Sequence, residues 1–358
     1  MSNEIPRTMR ALVQNEDHWV QVKEVSVPAL QKNEVLVKIE YAAQNPTDWK
    51  HACFMSEPGV QSGNDFAGTV VSLGDNLSTP LKVGDKVAGC THGGIWKDRG
   101  AYAEYARIES DMCFKVPEGT KLDEAATFGV AWVTACQALI DSQKKPFPTE
   151  GKVPEGTWYI IYGASSSVGL FAVSLAKAMG YRVIGIASPH SFSLVKSYGA
   201  DEVLDYHDKD KAVAEALQIT GGGVEYALDT ISEKGSYEFT LALMGDKGKQ
   251  LNGILPIPEE VKKINPKINV TSTLMYTLFG REFNFTPAAP KDTIIPASEH
   301  DHQFGKEIFA KTADLITKHG IKANPVSLKG GLDDVPTGFQ EQKELKVSGK
   351  KLVYKIAD

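Results

Sequence analysis

The stretch Trp158-Tyr159-Ile160-Ile161-Tyr162-Gly163-Ala164-Ser165-Ser166-Ser167-Val168-Gly169 has the residue types and order of a phosphate-binding turn. An apolar run of strand length, rich in β-branched and aromatic residues, leads into small residues. From Leu170 the apolar positions Leu170, Val173, Leu175, Ala176 and Met179 suggest a helix, and Gly180 is placed to end it. A strand that feeds a helix through such a turn leaves backbone N–H groups facing the gap. The positive end of the helix dipole adds to them, so the turn suits a pyrophosphate. The motif departs from a three-glycine fingerprint, because Ser165 and Ser166 stand near the middle glycine. Serine limits how near a phosphate comes to the backbone, but its hydroxyl can donate to it. Gly163, Ser165, Ser166, Ser167 and Val168 are the candidate contacts.

A second buried strand is expected at Tyr181–Ala187. Dinucleotide sites that prefer NAD carry an acid at the end of this strand, to bond the ribose 2′-hydroxyl. Here the chain reads Ser188-Pro189-His190-Ser191. No carboxylate repels a 2′-phosphate, and Ser188, His190 and Ser191 can donate to one, so NADPH is the expected cofactor. Ser191 is also placed to cap the next helix. Further strands are expected at Glu202–Tyr206, Tyr226–Thr230 and Lys249–Gly253. Strands that alternate with helical stretches indicate a parallel sheet.

These elements sit in a chain of 358 residues, long enough for about two domains. The net charge is −6 and no basic stripe is present, which argues against nucleic acid as a partner. No apolar run reaches membrane-helix length, and residues 1–10 lack a secretory apolar core, so a cytoplasmic protein is expected. Cys53, Cys90, Cys113 and Cys136 are too few for a disulfide framework. Before about residue 126, short strands with Gly and Pro punctuation suggest a small barrel-like or sandwich unit: Met9–Val13, Trp19–Val22, Val35–Tyr41, Ala67–Val71, Lys86–Gly89 and Tyr102–Ala106. Near the other end, Phe304–His319 reads as an amphipathic helix. Strands are expected at Asn324–Leu328 and Lys351–Ile356. Thr271–Phe279 reads as strand or short helix, and Asn284–Pro296 as irregular.

Four segments carry a family resemblance: Asn45-Pro46-Thr47-Asp48, Gly63-Asn64-Asp65-Phe66-Ala67-Gly68, Val83-Gly84-Asp85-Lys86-Val87 and Gly199-Ala200-Asp201-Glu202-Val203-Leu204-Asp205-Tyr206. In that order they resemble the medium-chain dehydrogenase/reductase superfamily over essentially the whole chain. The resemblance implies an α/β protein: a Rossmann doubly wound parallel sheet at 127–310, and a GroES-like β-barrel catalytic domain split into 1–126 and 311–358. In zinc alcohol dehydrogenases of that superfamily a Cys stands where this chain has Asn45, and Gly-His-Glu where it has Gly63-Asn64-Asp65. A third ligand lies near Phe128-Gly129-Val130. Of these only Asp65 ligates zinc well, and one carboxylate does not hold it. The cysteine-rich structural lobe is missing too, so no metal site is expected. Cys90-Thr91-His92 and His51-Ala52-Cys53 lack a second ligand pair at metal spacing, and read more plainly as buried cysteine beside surface histidine.

Without a Lewis acid to stabilise an alkoxide, the expected chemistry is hydride addition to a conjugated double bond, with enolate charge held by hydrogen-bond donors. Within the superfamily the chain resembles the trans-acting enoyl reductases of fungal polyketide synthesis. Asn45-Pro46-Thr47-Asp48-Trp49-Lys50, Ser188-Pro189-His190, Phe279-Gly280 and Leu345-Lys346-Val347-Ser348-Gly349 carry that likeness. It implies reduction of an enoyl thioester, a carrier-bound or small acyl substrate, and a polyketide synthase as partner. Lys50 is implied to bond ribose or substrate and help relay the proton; Asn45 and Thr134, to hold nicotinamide or the thioester carbonyl. Pro46, Asp48, Tyr206, Leu255, Val347 and Ser348 fall at implied cofactor contacts. Residues 271–300 are implied to close over substrate. A monomer or homodimer fits the family. The rival readings are a stand-alone quinone, enone or alkenal reductase, a zinc-independent alcohol dehydrogenase-like enzyme, and a NADPH-binding protein without turnover. No Gly-x-Ser-x-Gly elbow supports hydrolysis.

Overall fold

A computed structural model describes residues 5–286 and 293–357. The chain forms two compact units: Ala131–Met275 with Asp314–Asn324, and the remainder, comprising residues up to Val130, Tyr276–Ala313 and Pro325 onward. Residues 276–286 and 293–310, expected to continue the cofactor domain, thus pack with the barrel-like unit, whereas Asp314–Asn324, expected in the catalytic domain, belong to the other unit. Apolar residues in a sequence announce burial without saying against which neighbour. Part of the expected irregular stretch, 287–292, lies outside the described residues.

The strands in chain order are β1 Thr8–Gln14, β2 Val20–Ser26, β3 Glu34–Ala43, β4 Asp65–Leu73, β5 Lys86–Cys90, β6 Tyr105–Glu109, β7 Cys113–Lys115, β8 Trp158–Tyr162, β9 Arg182–Ala187, β10 Glu202–Asp205, β11 Tyr226–Asp229, β12 Gln250–Gly253, β13 Asn269–Ser272, β14 Phe283–Asn284, β15 Ile294–Ile295, β16 Val326–Lys329 and β17 Lys351–Lys355. Three helices bear on function: α1 Pro46–Phe54, α2 Ser167–Ala178 and α3 Glu299–His319. Two expectations shift. The strand expected at Tyr102–Ala106 begins at Tyr105, and Ala103 makes only an isolated bridge to Ala11. Thr271–Phe279 divides between the end of β13 and a 3₁₀ turn at Met275–Phe279.

The second unit holds a parallel sheet in the order β10-β9-β8-β11-β12-β13. Such a sheet is covered on both faces, which is why its strands are apolar runs and not alternating ones. Ile160, Ile184, Ile186, Ala227 and Leu251 form its core with Phe239 and Met244.

In the first unit the sheet order is β16-β17-β3-β4-β5-β7, and β6 also pairs with β3. The β3–β4 register shifts between Leu36 and Val37 and between Ile39 and Tyr41. Such bulges bend a strand, and the ten-residue β3 serves three partners. Gly68 is needed where β4 crosses it, because a Cβ there would lie 2.1 Å from the Lys38 carbonyl oxygen. Val35, Val37, Ile39, Phe66, Val87, Leu352 and Tyr354 fill the core. β17 runs antiparallel to the end of β3, Val353 opposite Ala43 and Tyr354 opposite Ala42. Continued outward, that register carries Lys351 to Asn45.

Candidate functional site

Two sets of residues have the chemistry of a site, one in each unit. In the second unit β8 ends at Tyr162 and α2 begins at Ser167. Gly163 takes φ +71° at the turn, a conformation that favours glycine. A Cβ on Gly169 would meet the Gly163 carbonyl oxygen at 2.3 Å, so only glycine lets the helix start this near the strand end. The first helical N–H groups, those of Ser167 and Val168 among them, have no acceptor within the helix. The turn therefore fits a pyrophosphate. Ser165, Ser167 and Val168 are half-buried beside it. Ser166 instead secures the turn: its Oγ accepts from the Gly169 N–H at 2.9 Å and lies 2.9 Å from Thr230 Oγ1. Thr230 Oγ1 in turn is 2.9 Å from the Tyr162 carbonyl oxygen and 3.0 Å from that of Gly163. This lock holds the turn to the end of β11.

At the end of β9, Ser188 Oγ donates to Tyr206 Oη at 3.0 Å. The Tyr206 ring stacks on His207 with centroids 4.2 Å apart. His190 is exposed, whereas Ser191 is buried and makes no side-chain cap on the helix Phe192–Ser197. The expected cap is absent because Ser191 still belongs to a 3₁₀ turn. The Leu255 carbonyl accepts from Tyr237 Oη at 2.9 Å. Thr134 is buried in the helix Val130–Cys136. Val347 and Ser348 belong to the first unit, where Val347 packs on the core and Ser348 is exposed.

In the first unit, β3, β4 and β17 bring Asn45, Asp65 and Lys351 together. Lys351 Nζ donates to Asn45 Oδ1 at 2.5 Å and lies 3.0 Å from Asp65 Oδ2, with both ionic side chains at 1% exposure or less. Asp65 Oδ1 accepts the Val130 N–H at 2.7 Å. Burial pushes the Asp65 carboxyl up, and Lys351 pulls it back. Beside this trio Asp48 accepts three donors: the Asn45 N–H at 2.7 Å, Asn64 Nδ2 at 2.6 Å and Tyr102 Oη at 3.0 Å. Even so, burial raises its carboxyl to about 7. Pro46 opens α1 and Lys50 lies on it half-buried, its Nζ 5.9 Å from the Trp49 ring centroid.

The first unit also encloses two histidines. His92 stacks on Tyr276, centroids 4.2 Å apart, and meets Phe283 edge-on at 4.7 Å. Thr47 Oγ1 lies 2.8 Å from Tyr276 Oη and 3.0 Å from His51 Nδ1. Both histidines are 1% exposed, so the expectation of surface histidines fails. They face aromatic rings, and desolvation keeps them neutral: burial lowers His51 to about 4 and His92 well below its usual range.

Sequence reading missed Lys351, Tyr102 and Tyr276. For Lys351 a signal existed, since on a strand it shares a face with Val353, a core position. Tyr102 and Tyr276 reach their partners only through tertiary packing.

The chain matches the family model of the alcohol dehydrogenase GroES-like domain at residues 31–118 and that of the zinc-binding dehydrogenase at 167–287. Trans-enoyl reductase ACTTS2 of Alternaria alternata is 36% identical, with 98% of this chain and 99% of that protein covered. Trans-enoyl reductase TOXD of Cochliobolus carbonum is 37% identical over 76% of this chain and 91% of its own. Among solved structures, an alcohol dehydrogenase superfamily protein from Novosphingobium aromaticivorans shares the fold with a TM-score of 0.79 at 20% identity, covering 98% of this chain and all of that one. The CurK enoyl reductase does so with a TM-score of 0.75 at 19% identity and the same coverage. A mycobacterial protein complexed with NADPH has a TM-score of 0.74 at 20% identity, covering 97% and 99%. The glycine turn on a six-stranded parallel sheet, the barrel-like unit and identity sustained from end to end place this chain among the trans-enoyl reductases of the medium-chain dehydrogenase/reductase superfamily.

Proposed function

We propose that the protein is a NADPH-dependent reductase of an activated carbon–carbon double bond, and that its acceptor is an enoyl thioester. The observation that carries this reading is the cation already present among Asn45, Asp65 and Lys351. A zinc-dependent alcohol dehydrogenase needs ligands and an open coordination position there. These residues do not fit a metal: a lysine Nζ lies against the one carboxylate, and a Cβ on Gly129 would meet Asp65 Oδ1 at 2.1 Å. Reduction of a conjugated alkene needs no Lewis acid, only donors for the oxygen on which enolate charge develops. The names of the full-length relatives support an enoyl group as acceptor.

The turn Gly163–Gly169 would hold the pyrophosphate, and Ser188, His190 and Tyr206 the adenosine side, the segment Ser188–Ser191 after β9 carrying no acid to oppose a 2′-phosphate. When bound, the reduced nicotinamide supplies hydride to the β-carbon of the acceptor. Asn45 and Thr134 would orient the acceptor carbonyl or the carboxamide of the cofactor. Lys50 would bond ribose or substrate and pass a proton from solvent toward the α-carbon. An acyl chain tethered to the carrier of a polyketide synthase would be the natural form of the substrate.

The test is NADPH oxidation with crotonyl thioester, a simple enone, a quinone and an aldehyde side by side. Turnover mainly on the thioester is expected, with NADH at least about tenfold poorer. Turnover on quinone or enone alone would move the protein to the stand-alone reductases. Tight NADPH binding without turnover on any acceptor would make it a binding protein.

A further inference from the structure

The Lys351 amine lies against Asn45 and Asp65, two positions that the superfamily resemblance aligns with zinc ligands, and its surroundings define what it does there. A lysine side chain donates and never accepts in its charged form. The Asn45 atom that faces it at 2.5 Å is therefore the amide oxygen, which fixes the orientation of the amide. Asn45 is 2% exposed, and its Nδ2 makes no hydrogen bond among the described residues. That nitrogen carries two hydrogens. Neither meets an acceptor at hydrogen-bond geometry among the described residues, although the amide lies near enough to favour the ionised Asp65 carboxylate. The backbone beneath is fixed as well, because the Asn45 N–H is held by Asp48 and the next residue is Pro46.

We propose that Lys351 is an internal cation which replaces the metal of this superfamily, clamping the Asn45 amide so that its Nδ2–H donates to the carbonyl oxygen of the acceptor as that oxygen becomes an enolate. Lys351 is a positioning residue and Asn45 the group that touches substrate. The hydride, supplied by the reduced dinucleotide when it is bound, would form the new C–H bond at the β-carbon while the C=C pair becomes the double bond from the α-carbon to the carbonyl carbon and the C=O π pair moves to oxygen. A proton from solvent would then add at the α-carbon, returning that pair from oxygen and restoring the carbonyl. The ammonium also polarises the amide it holds, an effect that a low-dielectric surrounding strengthens. The inference rests on the reductase reading above.

Three variants of the full chain test it: Asn45→Ala, Lys351→Met, and Lys351→Met with Asp65→Leu. Each is followed by thermal unfolding, NADPH binding by fluorescence, and kcat and KM on whichever acceptor the wild type reduces. Lys351→Met strands the buried Asp65 charge, and a large fall in Tm is expected. The double variant replaces the ion pair with apolar groups and should regain most of that Tm, yet stay at least about tenfold low in kcat, with NADPH binding within about threefold of wild type. Asn45→Ala leaves the Lys351–Asp65 pair in place and should show the same loss in kcat with KM little changed. If kcat returns together with Tm in the double variant, Lys351 serves only as counter-ion to Asp65 and the proposal falls. It falls equally if Asn45→Ala keeps wild-type kcat, whatever becomes of the Lys351 variants. Wild-type turnover across the acceptors tests the enoyl reading, whereas the ratio of variant to wild type tests the clamp.

Discussion

Asp48 is the residue whose surroundings disagree most with its chemistry. Three donors converge on its carboxylate, which favours the ionised form, while complete burial favours the neutral one. Burial prevails and the carboxyl titrates at about 7. In the unfolded chain an aspartate titrates near 3.9. The native state thus holds a proton that the unfolded state has lost, and the stability this contributes at low pH disappears as pH rises through about 7. His51 works in the opposite direction. Its folded value of about 4 lies below that of a free histidine, so its contribution is present above about 6.5 and is lost on acidification toward 4. The two slopes offset each other in the wild type, so the informative quantity is a difference. The stability of wild type relative to Asp48→Asn should fall with rising pH between about 4 and 7, by at most about 1.4 kcal/mol per pH unit, and level off above that. Urea unfolding at several pH values measures it. A flat difference would mean that Asp48 ionises in the folded protein as it does in the unfolded one.

At the scale of elements, the doubly wound half was legible in the sequence because its signals are local. Apolar runs at β8, β9 and β11 and the small residues between β8 and α2 each carry their meaning within about a dozen positions. The barrel-like half was read less fully. Its strands alternate clearly, but the position of Lys351 opposite Asn45 depends on pairing residues 306 apart in sequence. The face that Lys351 shares with Val353 hints at burial, but which residue the amine meets stays open until the partner strand is known. Ser166 illustrates the same limit within a motif, because its hydroxyl is engaged by Gly169 and by Thr230, a residue on another strand's end. Gly169 offers the sharpest element-scale test. A methyl group there meets backbone of Gly163 and Ala164, which cannot rotate away. Gly169→Ala should push α2 off the turn at a strain cost of about 1–3 kcal/mol. If the cradle relaxes to relieve it, NADPH affinity falls by roughly fivefold to a hundredfold. Isothermal titration of the full chain checks this, and unchanged affinity would place the pyrophosphate elsewhere.

For the whole molecule, the consequential feature is how residues 276–286 join the first unit. Aromatic packing does part of it: Tyr276 and Phe283 close around His92, and Phe285 meets His51. A buried ionic network does the rest. Arg99 bridges Glu34 at 2.5 Å and Glu109 at 2.8 Å, and Arg281 pairs with the same Glu109 oxygen. Burial, then the neighbouring Arg99, lowers Arg281 to about 10. The two arginines are not equivalent. Arg99 is buried and serves two buried carboxylates, so Arg99→Met leaves Glu34 to Arg107 at 3.8 Å and Glu109 to the more exposed Arg281, and should cost about 3 kcal/mol. Arg281 is more exposed and leaves Glu109 still paired with Arg99. Arg281→Met should therefore cost well under half as much in urea unfolding, while hydrogen exchange in 276–286 accelerates on its own. Local opening without global loss would make this segment a separately released cover on the His51–His92 enclosure, the behaviour a substrate-covering segment requires. Equal losses from the two variants would instead make it an integral part of the barrel-like core.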